Sequence, residues 1–153
     1  MDADRLIAWD EELRQAHTRL RAALEATRTA LDNDSAAPDA ARELALFCIG
    51  FCSALDGHHR SEDRALFPAL RIEHPELGEV IDKLMQDHSM LAHLLGSLRA
   101  AVEGGESADA IERHLDGIGA IMESHFRFEE REILAPLRAL HLDRPVPDVL
   151  GPL

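Results

Sequence analysis

The chain repeats the stretch HHRSEDR of residues 58–64 as HFRFEER at residues 125–131. Both copies hold a His and a Glu four positions apart, and a lone histidine precedes each copy, His17 the first and His88 the second. Residues four apart on an α-helix lie on the same face, about 6 Å apart along the axis. Each His/Glu pair is therefore predicted to point two polar groups at one place.

Three breaks divide the sequence into four helical segments. They are the turn-rich residues 32–38, the stop at residues 73–75 and the double glycine within residues 104–107. The segments between them are rich in Ala, Leu, Glu and Arg, which favour helices, and links this short place consecutive helices antiparallel. The sequence therefore predicts an all-α fold, an up-down-up-down antiparallel four-helix bundle over residues 1–142.

Prolines mark two further features of the chain. Pro68 and Pro136 lie shortly after the two His/Glu pairs and are expected to end or kink those helices. Residues 143–153 contain Pro145, Pro147 and Pro152, so we predict an extended C-terminal tail on the surface.

A helical wheel places six polar side chains on the apolar faces of their helices. They are His17, His58, Glu62, His88, His125 and Glu129. A buried Glu is rare unless it is paired, and each buried polar group without a partner costs about 1–3 kcal/mol. Two metal ions would satisfy all six groups at once, whereas a metal-free interaction protein would need a hydrogen-bonded network of His and Glu. We predict a dinuclear metal site.

Three other polar residues lie near the predicted site. His59 is rotated about 100° from His58, at the edge of the apolar face, where it is either exposed to solvent or an additional metal ligand. Asp10 and Glu132 lie near the inward faces of their helices, where each either hydrogen-bonds a ligand imidazole or is solvated.

The composition limits the possible partners. A formal net charge of −13 argues against binding of nucleic acids and of anionic membranes, which need an excess of Lys and Arg. The sequence contains no signal-peptide pattern and no run of the roughly 18 apolar residues that a membrane span needs, so we expect a cytoplasmic protein. Cys48 and Cys52 are expected to be reduced, buried thiols. No feature of the sequence identifies a protein partner.

The order and spacing of the six polar residues resemble the hemerythrin-like family of HHE cation-binding domains, over about residues 5–140. The family pattern H…HxxxE…H…HxxxE is supplied here by His17, His58 and Glu62, His88, and His125 and Glu129. The resemblance implies two iron ions joined by an oxo or hydroxo bridge, with Glu62 and Glu129 as bridging carboxylates.

The resemblance also assigns the histidines to the two irons in pairs, His17 with His58 and His88 with His125. Oxygen-carrying members of the family have a fifth His where this chain has Ala92, so the chain departs from them. Some relatives place an additional ligand directly after the first His of the second helix, which is His59 here. Such a ligand would complete the His88/His125 iron and leave an open position at the other. Zinc and manganese also suit imidazole and carboxylate ligands.

An open position on one iron favours a small ligand. Apolar residues on the same helix faces are predicted to line its pocket, namely Leu20, Phe47, Phe51, Leu55 and Leu91. Such a pocket admits O2, NO or peroxide and excludes larger molecules. The predicted function is to bind or react with one of these ligands as a sensor, store or scavenger. The alternative is a di-iron enzyme with peroxidase-like, catalase-like or NO-reducing turnover, in which His59, if it is not a ligand, is the residue to test.

Overall fold

The computed structural model describes residues 7–32 and 39–152. Its elements, in chain order, are α1 (Trp9–Asp32), α2 (Ala40–Ser61), a π-helical turn (Glu62–Leu66), α3 (Phe67–Glu73), a 3-10 turn (Pro75–Leu77), α4 (Gly78–Glu103), α5 (Ala108–Arg138) and α6 (Val146–Leu150). The described residues contain no β-strand, so the predicted all-α class is confirmed. Residues 33–38 of the predicted first break lie outside the described residues, as do residues 1–6 of the predicted bundle and residue 153 of the predicted tail. Among the described helices, none has the length and hydropathy of a membrane span.

The four long helices surround one interior. Helix α1 packs against α2 and α5, and α4 packs against the same two helices. Along α1 and α5 the contacts run in opposite directions, because His17 Nε2 lies 2.9 Å from Glu129 Oε1 whereas Arg28 Nη1 lies 2.7 Å from Asp116 Oδ1. These two helices are therefore antiparallel, as the sequence predicted.

The remaining breaks fall where turn residues interrupt the helices. Helix α3 ends before Pro75, and α4 ends before Gly104 and Gly105, the second of which adopts a φ of +67° that favours glycine. Helix α5 then begins after Ser107, whose hydroxyl oxygen accepts a hydrogen bond from the Ala110 N–H at 3.2 Å. Both predicted breaks in this part of the chain are confirmed.

Two apolar clusters fill the interior, one on each side of a polar layer. On α1, Leu20 belongs to the first cluster and Leu13 to the second, and His17 lies between them. On α4, Leu91 and Leu84 divide in the same way around the other lone histidine. Apolar burial at about 1.5–3 kcal/mol for each Leu therefore offsets the cost of a polar layer in the middle of the core.

The two internal prolines change the helices in different ways. Pro68 lies in the first turn of α3, directly after the π-helical turn, where the Phe67 N–H donates to the Glu62 carbonyl five residues back. Proline has no N–H to continue the regular α-helical ladder, and the change of helix type lies just before it, but the helical path does not end at Pro68 and continues to Glu73. Pro136 lies within α5, which ends at Arg138.

The prediction of an extended surface tail is wrong. Residues 146–150 form α6, and Val149 and Leu150 are buried in the second apolar cluster. Pro147 lies in the first turn of α6, where a proline is compatible with a helix because its missing N–H has no partner there. Apolar side chains spaced for one helical face, together with a proline at the helix start, outweigh the high proline content of the segment.

Candidate metal centre

All six predicted ligands meet in the polar layer, together with His59. Each of the seven side chains is at most 4% exposed. Their donor atoms form overlapping groups that lie within 4.8 Å of one another and could hold a metal ion: His59, His88 and His125; His17, His58 and Glu129; His58, His59 and Glu62; and Glu62, His88 and Glu129. The solvent-exposed interpretation of His59 is therefore wrong, and its ring faces the same layer as the predicted ligands.

Glu129 lies between histidines of both predicted pairs. Its Oε1 is 2.9 Å from the Nε2 atom of His17, and its Oε2 is 3.8 Å from the Nε2 atom of His125. One carboxylate therefore presents its two oxygens to imidazoles on two different helices.

Glu62 likewise lies between histidines of both predicted pairs. Its Oε1 lies 3.1 Å from the Nε2 atom of His58 and 3.5 Å from the Nε2 atom of His88. The Nε2 atoms of His88 and His125 are themselves 3.2 Å apart. Nitrogen and oxygen donors from four helical segments thus converge on a small volume at the centre of the layer.

The Nδ1 atoms of the histidines point away from this centre, toward acceptors. His58 donates from Nδ1 to the Leu150 carbonyl at 2.7 Å, and a carbonyl oxygen can only accept. His88 Nδ1 lies 2.8 Å from Asp63 Oδ1, and His125 Nδ1 lies 3.0 Å from Asp87 Oδ2. With the proton on Nδ1, a neutral imidazole directs its Nε2 lone pair into the layer, as a metal ligand requires.

The Nδ1 contact of the fourth histidine, His17, is weaker than the other three. His17 Nδ1 lies 3.7 Å from Glu130 Oε2, beyond hydrogen-bond length. Glu130 and Asp63 hold matching positions in the sequence repeat, since each directly follows the Glu of its copy. The two acids also approach matching atoms, the Nδ1 of the lone histidine from the other half of the chain.

Of the two alternatives predicted for Asp10 and Glu132, a hydrogen bond to a ligand imidazole is found for neither residue among the described contacts. Asp10 instead pairs with Arg138 at 3.3 Å, and Glu132 pairs with Arg131 at 3.2 Å. The acids that support the layer were detectable in the repeat, where an acid follows the Glu of each copy, and in Asp87, which directly precedes His88. The Leu150 carbonyl had no such signal, because every residue has a backbone carbonyl and the sequence does not mark the one that accepts a hydrogen bond.

Several buried polar atoms of the layer have no hydrogen-bond partner among the described residues. They are both carboxylate oxygens of Glu62, Oε2 of Glu129, Nε2 of His58 and of His59, and Nδ1 of His17. Each such atom costs about 1–3 kcal/mol unless something else binds it. Most of these atoms face the centre of the layer and are oxygens and imidazole nitrogens, which are ligands for divalent and trivalent metals. The residues present therefore fit a metal centre.

Burial keeps most of the layer uncharged when no metal is bound. Burial and the nearby His17 lower the pKa of His58 to about 3, and burial and His88 place the pKa of His59 well below its ordinary value. Burial and the neighbouring Glu129 raise the pKa of Glu62 well above its ordinary value. Burial acts against ionisation of Glu129 as well, but the hydrogen bond from His17 and the charges of His17 and His125 together outweigh it and lower the Glu129 pKa. His58 and His59 are therefore neutral, and available as ligands, at physiological pH.

Four of the five predicted pocket residues are buried in the first apolar cluster, beside the layer. They are Leu20, Phe51, Leu55 and Leu91. The prediction for Phe47 is wrong, because its side chain is 46% exposed and it lies about 16 Å along the helix from His58. Helical periodicity placed Phe47 on the correct stripe but did not account for this axial distance.

Three aromatic contacts in the layer were missed. The ring of Phe126 stacks on His17 with centroids 3.8 Å apart, and the ring of His59 stacks on His88 with centroids 3.9 Å apart. Phe67 also stacks on His88, with centroids 5.5 Å apart. Phe126 follows His125 in the sequence, as His59 follows His58, so the repeat itself carried this signal.

A surface groove of about 600 Å³ between α4 and α5 approaches the layer. Its lining includes His125 and Asp87, together with Lys83 and Phe128. The Asp87 side chain is 18% exposed, so this carboxylate connects the groove to the buried imidazole of His125.

Comparison with curated proteins and with solved structures finds no match. The family model of the hemerythrin HHE cation binding domain, by contrast, matches residues 10–137. This range includes all seven residues of the layer and all three acids that face their Nδ1 atoms. The chain therefore belongs to the hemerythrin HHE cation-binding domain family.

Proposed function

We propose that this chain is a non-heme di-iron protein that binds or reacts with O2, NO or hydrogen peroxide, as a sensor, store or scavenger. In this proposal the four long helices form the up-down-up-down bundle that the sequence predicts. The observation that carries the proposal is the position of Glu62 and Glu129, each of which lies close to Nε2 atoms from both predicted histidine pairs. Carboxylates in such places are suited to bridge two ions.

The donor groups support an unequal division of ligands between the two ions. His59, His88 and His125 would hold one ion, and His17 and His58 the other, with the two carboxylates shared. Imidazole and carboxylate donors suit iron, and they suit zinc and manganese as well. The ion with two imidazoles is the one that has room for an additional ligand.

The surroundings of that ion favour a small, weakly polar ligand. Phe126 stacks on His17, and Leu20 and Leu55 are fully buried in the same apolar cluster. Bound iron would supply reversible ligation and electron transfer. The side chains of the protein exclude water and large molecules, and the Nδ1 contacts hold the imidazoles in one orientation.

The proposal is tested by loading metal-free protein with ferrous iron under argon and measuring iron per chain. We expect two irons per chain and a visible spectrum that changes on addition of NO and recovers when NO is removed. His93→Ala is the matched control, since His93 is exposed, and it should leave both results unchanged. Binding of fewer than two ions by the folded wild-type protein, or no response to any of the three ligands, would contradict the proposal.

An enzyme is the second candidate function. The observation that favours it is the departure from the oxygen carriers described above, because Ala92 stands in place of their fifth histidine and the third nitrogen near His88 and His125 comes from His59 instead. Steady consumption of many equivalents of peroxide or NO per iron pair would establish turnover. A spectral change that saturates at one equivalent would instead establish binding.

A further inference from the structure

The structure points to a role for the C-terminal strap, which we define as residues 145–152, as part of the metal centre. We propose that the strap secures the ion held by His17 and His58 and has little effect on the other ion. The inference rests on the proposed function, because it concerns the retention of one of the two proposed ions.

The strap makes a direct contact with the layer. Its Leu150 carbonyl accepts a hydrogen bond from His58 Nδ1 at 2.7 Å, inside the protein, and Leu150 is 1% exposed. Because the carbonyl cannot donate, it fixes the tautomer in which Nε2 of His58 is free to bind a metal. The contact therefore sets both the orientation and the protonation of this ligand.

Gly151 is the residue that allows this approach. Its φ is +91°, and a Cβ added there would lie 3.0 Å from both Cα and N of His58. Backbone atoms at that distance cannot move aside easily, so any other residue must push the strap away from α2. Glycine at this position is required for the Leu150 carbonyl to reach His58.

The sequence repeat explains why His58 needs an acceptor from outside the bundle. In the second half of the chain, Asp87 directly precedes the lone histidine and accepts from His125. The matching position before His17 is Ala16, which has no acceptor on its side chain. The Leu150 carbonyl supplies to His58 what Asp87 supplies to His125.

Among the groups described above that contact a histidine Nδ1 atom, the strap alone lies outside the residues that the family model matches. The acids near the other Nδ1 atoms are Asp63, Asp87 and Glu130, all within residues 10–137, whereas the strap begins after that range. Displacing the strap should therefore remove a direct Nδ1 contact from His58 alone among the four histidines that have such contacts.

The test compares Gly151→Ala with Gly105→Ala in the full chain. Gly105 also has a positive φ, +67°, but an added Cβ there meets nothing within 4 Å, so this control carries a similar backbone strain away from the layer. Both variants are loaded with iron and titrated with a chelator. We expect Gly151→Ala to lose one ion at a chelator concentration about 10–100-fold lower than the wild type, while the second ion is retained as in the wild type. Gly105→Ala should keep both ions.

A second measurement does not depend on metal or on a variant that folds. The ¹⁵N chemical shifts of His58 in metal-free wild-type protein report which ring nitrogen carries the proton. The inference requires the Nδ1–H tautomer for His58, and the Nε2–H tautomer would overturn it.

The outcomes separate the two proposals. A wild-type protein that does not hold two ions contradicts the proposed function, while the tautomer measurement still tests the strap contact. A wild-type protein with two ions and a Gly151→Ala variant that holds both equally well contradicts the strap inference alone. Loss of both ions together in folded Gly151→Ala also contradicts it, since the effect would not be selective.

Discussion

The two halves of the ligand layer are built from the same sequence pattern but differ in the residue that follows the first histidine of each copy. His59 in the first copy corresponds to Phe126 in the second, and each ring stacks on the lone histidine of the other half. The stacking geometry is nearly the same, with interplanar angles of 10° and 8°. The imidazole of His59 places a nitrogen donor beside His88, whereas the phenyl group of Phe126 places an apolar wall beside His17.

Under the proposed function, this difference would give a symmetric scaffold two unequal metal positions. The helices, the two carboxylates and the acids after them are arranged alike in both halves. The difference in donor number comes from one side chain of similar size and shape, so it needs no change in the fold. The variants below test whether this one position decides which ion is open.

The largest effect is expected from the two shared carboxylates. Glu62→Gln and Glu129→Gln each remove an anionic donor that lies close to histidines of both ions, so we expect neither ion to be held tightly in either variant. Iron content after gel filtration measures this. A variant that retains one ion at full occupancy would show that its carboxylate serves a single ion.

The same two variants should differ in stability when no metal is bound. Glu129 is paired with His17, and breaking a buried pair of this kind costs about 3–5 kcal/mol. The raised pKa of Glu62 favours its neutral form, which an amide resembles, so Glu62→Gln should cost much less. Urea unfolding of both metal-free variants measures the difference, and equal destabilisation would mean that Glu62 is ionised.

The next effect is that of His59→Phe, which makes the first half resemble the second. The phenyl ring preserves the stacking on His88 but removes a nitrogen donor from the His88/His125 ion. We expect the affinity for that ion to fall by more than the roughly 10–100-fold typical of residues that only support a ligand. His93→Phe is the exposed control. Unchanged retention of both ions by His59→Phe would establish that His59 is not a ligand.

The reciprocal variant, Phe126→His, should leave both ions bound but close the open position. An imidazole stacked on His17 would offer a third nitrogen to the His17/His58 ion. We expect slower and weaker NO binding with iron content unchanged, measured by stopped-flow absorbance. NO binding at the wild-type rate would place the open position elsewhere.

The dependence of stability on pH should distinguish the wild-type protein from His59→Phe when no metal is bound. Burial holds the pKa of His59 well below its ordinary value of 6.5, so below that pH the unfolded chain takes up a proton that the folded chain does not. Metal-free protein therefore loses stability through His59 as pH falls below about 6.5. His59→Phe lacks this loss, and the stability difference between the two proteins should grow as pH falls from about 7 to about 4. Glu62, whose raised pKa acts in the opposite direction, is present in both proteins and cancels in the difference. A constant difference across this range would mean that His59 is not held neutral.

Much of this arrangement could be predicted from sequence because it depends on helical periodicity. The six ligands lie on apolar stripes, and residues four apart share a face, so the layer follows from local geometry. The predictions that were wrong concern long-range features. The prediction for Phe47 was wrong because it ignored the distance along the helix. The prediction for the tail was wrong because packing against α1 and α2 is a tertiary contact.

The position of His59 illustrates the same limit. Its angle on a regular helix left it at the edge of the apolar stripe, yet it is buried and shares a donor group with His58 and Glu62. The ring of His88 on α4 stacks on this edge of α2 and covers His59. A helical wheel gives the angle of a residue on its own helix and does not show which side chain of another helix packs against it.

The smallest effect is expected from the two acids that follow the shared glutamates. Asp63 lies 2.8 Å from His88 Nδ1, whereas Glu130 lies 3.7 Å from His17 Nδ1. Asp63→Asn should therefore weaken retention of the His88 ion by about 10-fold, and Glu130→Gln should weaken retention of the His17 ion by less, because its contact is longer than a hydrogen bond. Chelator titration of both variants measures the two effects. The opposite order would mean that Glu130 moves into hydrogen-bond distance when metal binds, and the two halves would then be more alike in the metal-bound protein than in the metal-free one. Equal and small effects would leave the His59/Phe126 difference as the main source of inequality between the ions.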